Sequence, residues 1–175
     1  MFLVYLGGIL AFLYFTNFLS YRVLKNKTLN SKKWDLNICC GKTDGGGINA
    51  DIKKHDDIPN FVLVDDIYNL PFKDKQFKNL LCSHTIEHVD SPVNFYNELK
   101  RIGKNVTIVI PPLWDLSGVF NILEHRSIFL SFNKNHSELP KFISLPFSDK
   151  FQNFFGQKIK AWLLFVNFKD THFFP

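Results

Sequence analysis

From Phe2 to Phe15 every residue is apolar or glycine, and no charge appears in the chain before Arg22. With Phe18, Leu19 and Tyr21 the run reaches about 20 residues, which at 1.5 Å per residue is enough for a helix across a hydrocarbon core. Thr16, Asn17 and Ser20 dilute its end. A cleaved signal peptide places positive charge before its apolar run and small residues after it. Here Arg22, Lys25, Lys27, Lys32 and Lys33 follow the run. The pattern predicts a single-pass transmembrane anchor over residues 1–24 with the C-terminal domain on the cytoplasmic side. A buried core helix would carry the same apolar run. Residues 25–34 read as a polar linker and 35–175 as the folded domain.

Beyond Lys33 the apolar runs become short and alternate with turn residues. Leu36 to Cys40 ends at Gly41, Gly45-Gly46-Gly47 leads into Ile48-Asn49-Ala50-Asp51, Phe61 to Val64 ends in Asp65-Asp66, and Leu80-Leu81-Cys82 ends in Ser83-His84. These read as strands. Ser91-Pro92 is a capping residue with proline in the first turn, followed by Val93, Tyr96, Leu99 and Lys100 at helical spacing and stopped by Gly103. Val106 to Ile110 is a β-branched run ended by Pro111-Pro112. Glu124-His125-Arg126 and Ser127 to Phe132 read as a helix or loop over the strand ends and Ala161 to Val166 as a late buried strand, the two together completing the sheet. The expected fold is α/β, a Rossmann-like, mostly parallel sheet with helices on both faces. Ligands of such sheets sit at the carboxyl ends of the strands, where Gly41, Asp51, Asp66 and His84 fall.

At 175 residues the chain allows one domain plus an appendage, and 46% apolar with 21% charged residues carries no signature of disorder. The net charge of +5 invites a nucleic-acid reading. That reading is disfavoured, because the lysines are scattered among acids, as in Lys73-Asp74-Lys75, and the densest basic stretch flanks the apolar run. Cys39, Cys40 and Cys82 form neither a disulfide framework nor a Cys-x-x-Cys metal site, so a reduced domain without a metal is expected.

A glycine turn after a first strand lets backbone N–H groups approach a ligand, and an acid at the tip of the next strand can accept both hydroxyls of a ribose. A nicotinamide site needs Gly-x-Gly-x-x-Gly opening a helix and an acid about 20 residues on. Gly41 and Asp51 are half that distance apart, which disfavours it. Four pieces in order, Leu36-Asn37-Ile38-Cys39-Cys40-Gly41, Gly47-Ile48-Asn49-Ala50-Asp51-Ile52, Asp66 through Leu70-Pro71-Phe72 to Phe77, and Ser83-His84-Thr85-Ile86-Glu87-His88-Val89, are joined by the strand Val106 to Pro111. Over about residues 35 to 132 this set resembles the class I S-adenosylmethionine-dependent methyltransferases, in particular the subgroup with a short glycine-turn to Asn-x-Asp crossover.

The resemblance implies that Gly41 and its neighbouring turn hold the methionine part of S-adenosylmethionine, and that Cys39 and Ser83 also bind the cofactor. It implies that Asp51 bonds the ribose hydroxyls and that Asp66 faces the adenine amine with Ile67 against the ring. Asp66 has an alternative as a turn acid. The chain departs from the family in carrying Cys39 where the motif begins with glycine, Lys78 where an acid is usual, and a first crossover too short for a helix. His84, Glu87 and His88 are the candidates for a general base toward an acceptor hydroxyl, His84 first. A structural role for the Glu-His pair is the competing reading. His125-Arg126 could bind an acidic or glycan substrate over the site, or lie on a solvated surface. Two functions follow: methyl transfer to a small-molecule, lipid-linked or glycan acceptor near the membrane, or a catalytically degenerate, membrane-tethered binding or scaffold protein.

Overall fold

The computed structural model describes residues 1–121, 124–131, 136–145 and 148. Five strands, β1 (Leu36–Ile38), β2 (Ile48–Asp51), β3 (Phe61–Leu63), β4 (Phe77–Ser83) and β5 (Gly103–Val109), form one sheet in the order β3-β2-β1-β4-β5. Every neighbouring pair is parallel. The chain winds outward from β1 toward β3, then crosses back to place β4 on the other side of β1. The carboxyl ends of β1 and β4 therefore flank the point where the winding reverses, the place where such sheets open a crevice.

β1 is buried at all three positions, and Leu36, Ile38, Ala50, Leu80 and Cys82 join Phe95, Leu99 and Ile102 in one core. The last three come from the helix between β4 and β5, Pro92–Ile102. It starts as its sequence dictates: the Ser91 hydroxyl accepts from the Asn94 N–H, Pro92 occupies the first turn, and Gly103 ends it. The other three connections of the sheet contain no helix.

The first of them, residues 39–47, joins two parallel neighbours with nine residues, as do residues 52–60 between β2 and β3. Such crossovers usually need a dozen or more. Nine suffice here because β1 is only three residues long, about 10 Å of strand. Returning along that distance, the chain brings Gly45-Gly46-Gly47 back to the amino end of β1, where the Gly45 carbonyl accepts from the Trp34 N–H. A Cβ on Gly47 would lie 2.2 Å from the Trp34 carbonyl oxygen and 2.7 Å from that of Asp35. The triple glycine is thus a packing device at the edge away from the expected ligand, and only Gly41 to Thr43 stay at the carboxyl end. Buried Asn37 and Asn49 hold the return path: Asn37 donates to the Thr43 carbonyl and to Asn49 Oδ1, which also accepts from the Gly45 N–H.

Residues 70–74 are clamped to the helix. The Leu70 N–H donates to Glu98 Oε1 at 2.6 Å, while Arg101 donates to the Leu70 and Phe72 carbonyls and to Glu98 and Asp74. The Arg101 hydrogen bonds hold the Glu98 carboxyl below the ordinary carboxylate range. A depressed carboxylate stabilises the fold above its unfolded value of 4.5 and loses that contribution as pH falls through the lower, folded value. Glu98→Gln should therefore cost about 1–3 kcal/mol at neutral pH. Its stability should also fall less steeply than that of the parent chain on acidification, as urea unfolding across a pH series would measure.

At the N-terminus, α1 (Phe2–Phe18) runs through a π-helical stretch, Leu19–Leu24, into α2 (Lys25–Leu29). The segment read as a linker is thus helical over its first half, and Trp34 at its end is buried, its indole N–H donating to the Leu29 carbonyl. One stripe of the long helix, Leu13, Thr16, Asn17, Ser20 and Tyr21, is at least partly covered, while Phe2 to Phe12 stand exposed. The stripe meets the short helix Leu116–Val119: Asn17 donates to Asp115 Oδ2 and the Ser117 hydroxyl to the Leu13 carbonyl.

Ser127 onward is a strand, contrary to the helix or loop expected there. Ser127–Phe129 pairs antiparallel with Phe142–Ser144 in a separate two-stranded ribbon and does not complete the main sheet. Ala161 to Val166 lie outside the described residues.

Candidate functional site

Each carboxyl end of β1, β2 and β4 delivers a residue in a geometry that side chains rarely adopt or that fixes a polar group. Cys39, directly after β1, has φ +53°, and His84, directly after β4, has φ +52°. Left-handed backbone at a residue other than glycine costs energy and gathers at functional sites. It also accounts for the departure at Cys39: the backbone here has the form a glycine would take without strain. Gly41 follows at φ +56°, and a Cβ added to it would find no atom within 4 Å, so open space lies over this backbone.

Asp51 closes β2 and is 6% exposed. Its Oδ2 accepts from the Gly41 N–H at 2.9 Å and its Oδ1 from the Ile52 N–H at 2.7 Å. The carboxylate thus ties the two strand ends together. A carboxylate offers about four acceptor sites, so two remain for a ligand. The Asp51 charge is also felt by the cysteines. Burial first, and Asp51 second, push Cys40 up to about 12 and Cys39 higher still. Burial likewise raises Cys82 well above the usual thiol range. All three are free thiols, protonated at neutral pH, and none is a nucleophile.

Asp66 is exposed, and its Oδ1 accepts from the Tyr68 N–H at 2.8 Å. It caps the turn toward Leu70, which is the structural alternative its sequence left open. Ile67 is half-buried against the core. Ser83 ends β4 with a buried hydroxyl oxygen that has no hydrogen-bond partner among the described residues. Gly41, Asp51 and Ser83 therefore stand at adjacent strand ends, with Asp66 and Ile67 following β3.

His84, Glu87 and His88 form one cluster. The Glu87 carboxylate is buried, with His84 Nδ1 at 3.4 Å and His88 Nε2 at 4.0 Å. Burial pushes this carboxyl up, but His84, by hydrogen bonding and charge, and then His88 outweigh it and hold Glu87 below its ordinary value. His88 Nδ1 lies 2.9 Å from the Glu124 carbonyl oxygen. His84 Nε2 is buried without a hydrogen-bond partner, and the Tyr21 ring of the N-terminal helix packs on its imidazole at 5.0 Å. Of the two histidines, the structure places His84 nearer the strand ends, with Glu87 behind one ring nitrogen and the other left unpaired.

His125 does not reach over the strand ends as a solvent-facing arm. It is 5% exposed, its ring packs edge-on against His88 at 4.7 Å, and burial lowers its basicity. Its neighbour Arg126 pairs with Asp90, and the backbone N–H groups of Arg126 and Ser127 donate to the Glu87 carbonyl. Two contributions escaped the sequence reading. The Glu98–Arg101 clamp has no local signal, since its partners lie about 30 residues upstream. Tyr21 belonged to a segment read as membrane anchor alone.

The chain has no match among the curated proteins. Residues 47–110, which run from the end of the glycine turn through β5, match the family model described as a methyltransferase domain. Parallel β2 to β5, the acid closing β2 and the loop after β4 all fall inside that stretch. The five-stranded parallel sheet wound around β1 has the Rossmann-like methyltransferase fold, and residues 47–110 of it match a methyltransferase domain.

Proposed function

We propose that the crevice at the carboxyl ends of β1, β2 and β4 binds S-adenosylmethionine and that the domain transfers its methyl group to a small-molecule, lipid-linked or glycan acceptor at a membrane surface. The observation that carries this reading is the Asp51–Gly41 hydrogen bond, which sets an acid with spare lone pairs beside an open stretch of bare backbone. Asp51 would take the ribose hydroxyls, Gly41 and the Ser83 hydroxyl the methionine part, and Asp66 with Ile67 the adenine. The cofactor supplies an electrophilic methyl on sulfur, so the chain's residues have mainly to align the acceptor and exclude water. Glu87 favours a proton on His84 Nδ1 and leaves Nε2 as the base for an acceptor hydroxyl. The Tyr21 ring shields that nitrogen from water and must shift to admit the acceptor.

The N-terminal helix supports the membrane placement, being long and apolar enough to cross a bilayer. Its uncovered part, Phe2 to Phe12, spans eleven residues, about 16 Å, or half of a hydrocarbon core. Docking of the next two turns on the domain brings exposed Trp114, Leu116 and Phe120 alongside, where they suit the interfacial region. The cytoplasmic placement of the domain rests on the basic residues that follow the apolar run.

Cys39 in strained backbone and Tyr21 over His84 favour a second reading, a tethered domain that binds ligands without methyl transfer. Incubating the detergent-solubilised full chain with methyl-labelled S-adenosylmethionine and membrane extract separates the two. Label in the extractable lipid or glycan fraction is expected. Bound cofactor with no label transferred to any fraction would favour the second reading.

A further inference from the structure

The methyl-transfer reading uses one neighbour of Glu87, His84, and leaves its two other imidazole neighbours without a part. The Glu87 side chain is buried; His84 Nδ1 lies 3.4 Å from Oε1, and Oε2 has no hydrogen-bond partner among the described residues. One donor atom each from Glu87, His88 and His125 lies within 4.8 Å of the others. Nothing local in the chain signals this grouping, because His125 is 37 positions from His88 and no cysteine takes part.

The tautomers are already set for a cation. His88 Nδ1 faces the Glu124 carbonyl oxygen and carries a proton to bond it, and its Nε2 lies 4.0 Å from Glu87 Oε1. The His125 ring likewise bonds the Val119 backbone. Imidazoles that ligate metals almost always donate their other N–H to a carbonyl or carboxylate, which fixes ring orientation. Both rings here have such a support.

We propose that Glu87, His88 and His125 bind a divalent transition-metal ion of the zinc class, through one carboxylate oxygen and two imidazole nitrogens. Two nitrogens and one oxygen suit zinc, cobalt or nickel, and a His₂Glu set leaves a fourth position open. Ligand atoms around zinc, about 2.0–2.1 Å from the metal, stand about 3.4 Å apart in a tetrahedron. The ion enters past His88, which is part-exposed, while Glu87 and His125 face a small cleft walled by Ile110, Pro111, Val119 and Phe129. That cleft gives the open position room for a water or an acceptor oxygen. The inference stands apart from cofactor binding and holds whether or not methyl transfer occurs.

The test is titration of the untagged full chain in detergent with Co²⁺, followed by its visible absorption, with Zn²⁺ as competitor. One equivalent should bind with a Kd on the order of 10 µM or tighter. Glu87→Gln and His125→Asn should each weaken it by about 100-fold or more, whereas His55→Ala, a change at an exposed histidine, should not. Should the variants fail to fold, ¹⁵N-histidine spectra of the parent chain decide: Zn²⁺ should move the His88 and His125 ring nitrogens together. No saturable Co²⁺ binding, affinity unchanged in both variants, or Zn²⁺ shifts confined to other histidines would overturn the proposal.

Discussion

Asp51→Asn should weaken binding of S-adenosylhomocysteine by about 10- to 150-fold in calorimetric titration of the full chain, the 1.5–3 kcal/mol usual for a hydrogen bond to a charged group. The substitution separates the two duties of this side chain. Asn keeps one carbonyl oxygen and can still accept from the Gly41 or the Ile52 N–H, so the strand ends remain tied. It lacks the charge and the second oxygen, so it cannot also take both hydroxyls of a ribose. Asp51→Ala removes both duties, leaves two backbone donors without their acceptor, and should lower thermal stability as well. A stable Asp51→Asn protein with parental affinity would show that the ribose is bound elsewhere.

The largest loss of stability is expected from a glycine that touches no ligand. Gly47→Ala should cost at least about 3 kcal/mol, because its methyl group would overlap two backbone carbonyl oxygens that cannot rotate away. Against the 5–15 kcal/mol that holds an ordinary domain together, that change leaves little margin. Gly41→Ala is the informative contrast. No neighbour obstructs its Cβ, so only the left-handed backbone is penalised, by about 1–2 kcal/mol. Its methyl would instead enter the space assigned to the methionine part, and it should lower cofactor affinity while the protein stays folded. Chemical denaturation and calorimetry on the two variants should thus give opposite orders of severity. Equal loss of stability with unchanged affinity at Gly41 would remove that turn from the site.

The contrast also shows where sequence reading succeeds and where it stops. Strand ends are marked by local chemistry: a β-branched or apolar run followed by Gly41, Asp51 or Ser83-His84 needs nothing remote to be recognised. The helix from Pro92 to Ile102 is equally local, since cap, proline and terminal glycine lie within one stretch. The place of the triple glycine in space is not local, because it depends on how long β1 is, and a three-residue strand brings the crossover back to the amino end before the glycines occur. Ser127–Phe129 was illegible for a related reason. Its pairing partner begins 13 residues later, so nothing nearby distinguishes a strand from a loop. The Glu98–Arg101 clamp and the His88–His125 contact are non-local in the same sense, and only the folded chain brings them together.

The claim on which the account turns is that Gly41, Asp51 and Ser83, and not the triple glycine, form one nucleoside-sized cleft. Backbone amide spectra of the isotope-labelled full chain in detergent, recorded with and without S-adenosylhomocysteine, test it residue by residue. The expected result is a saturable shift at Gly41, Ile52, Ile67 and His84 with Gly45, Gly46 and Gly47 unmoved. Shifts centred on Gly45 to Gly47, or none at Gly41 and Ile52 at saturating ligand, would contradict it.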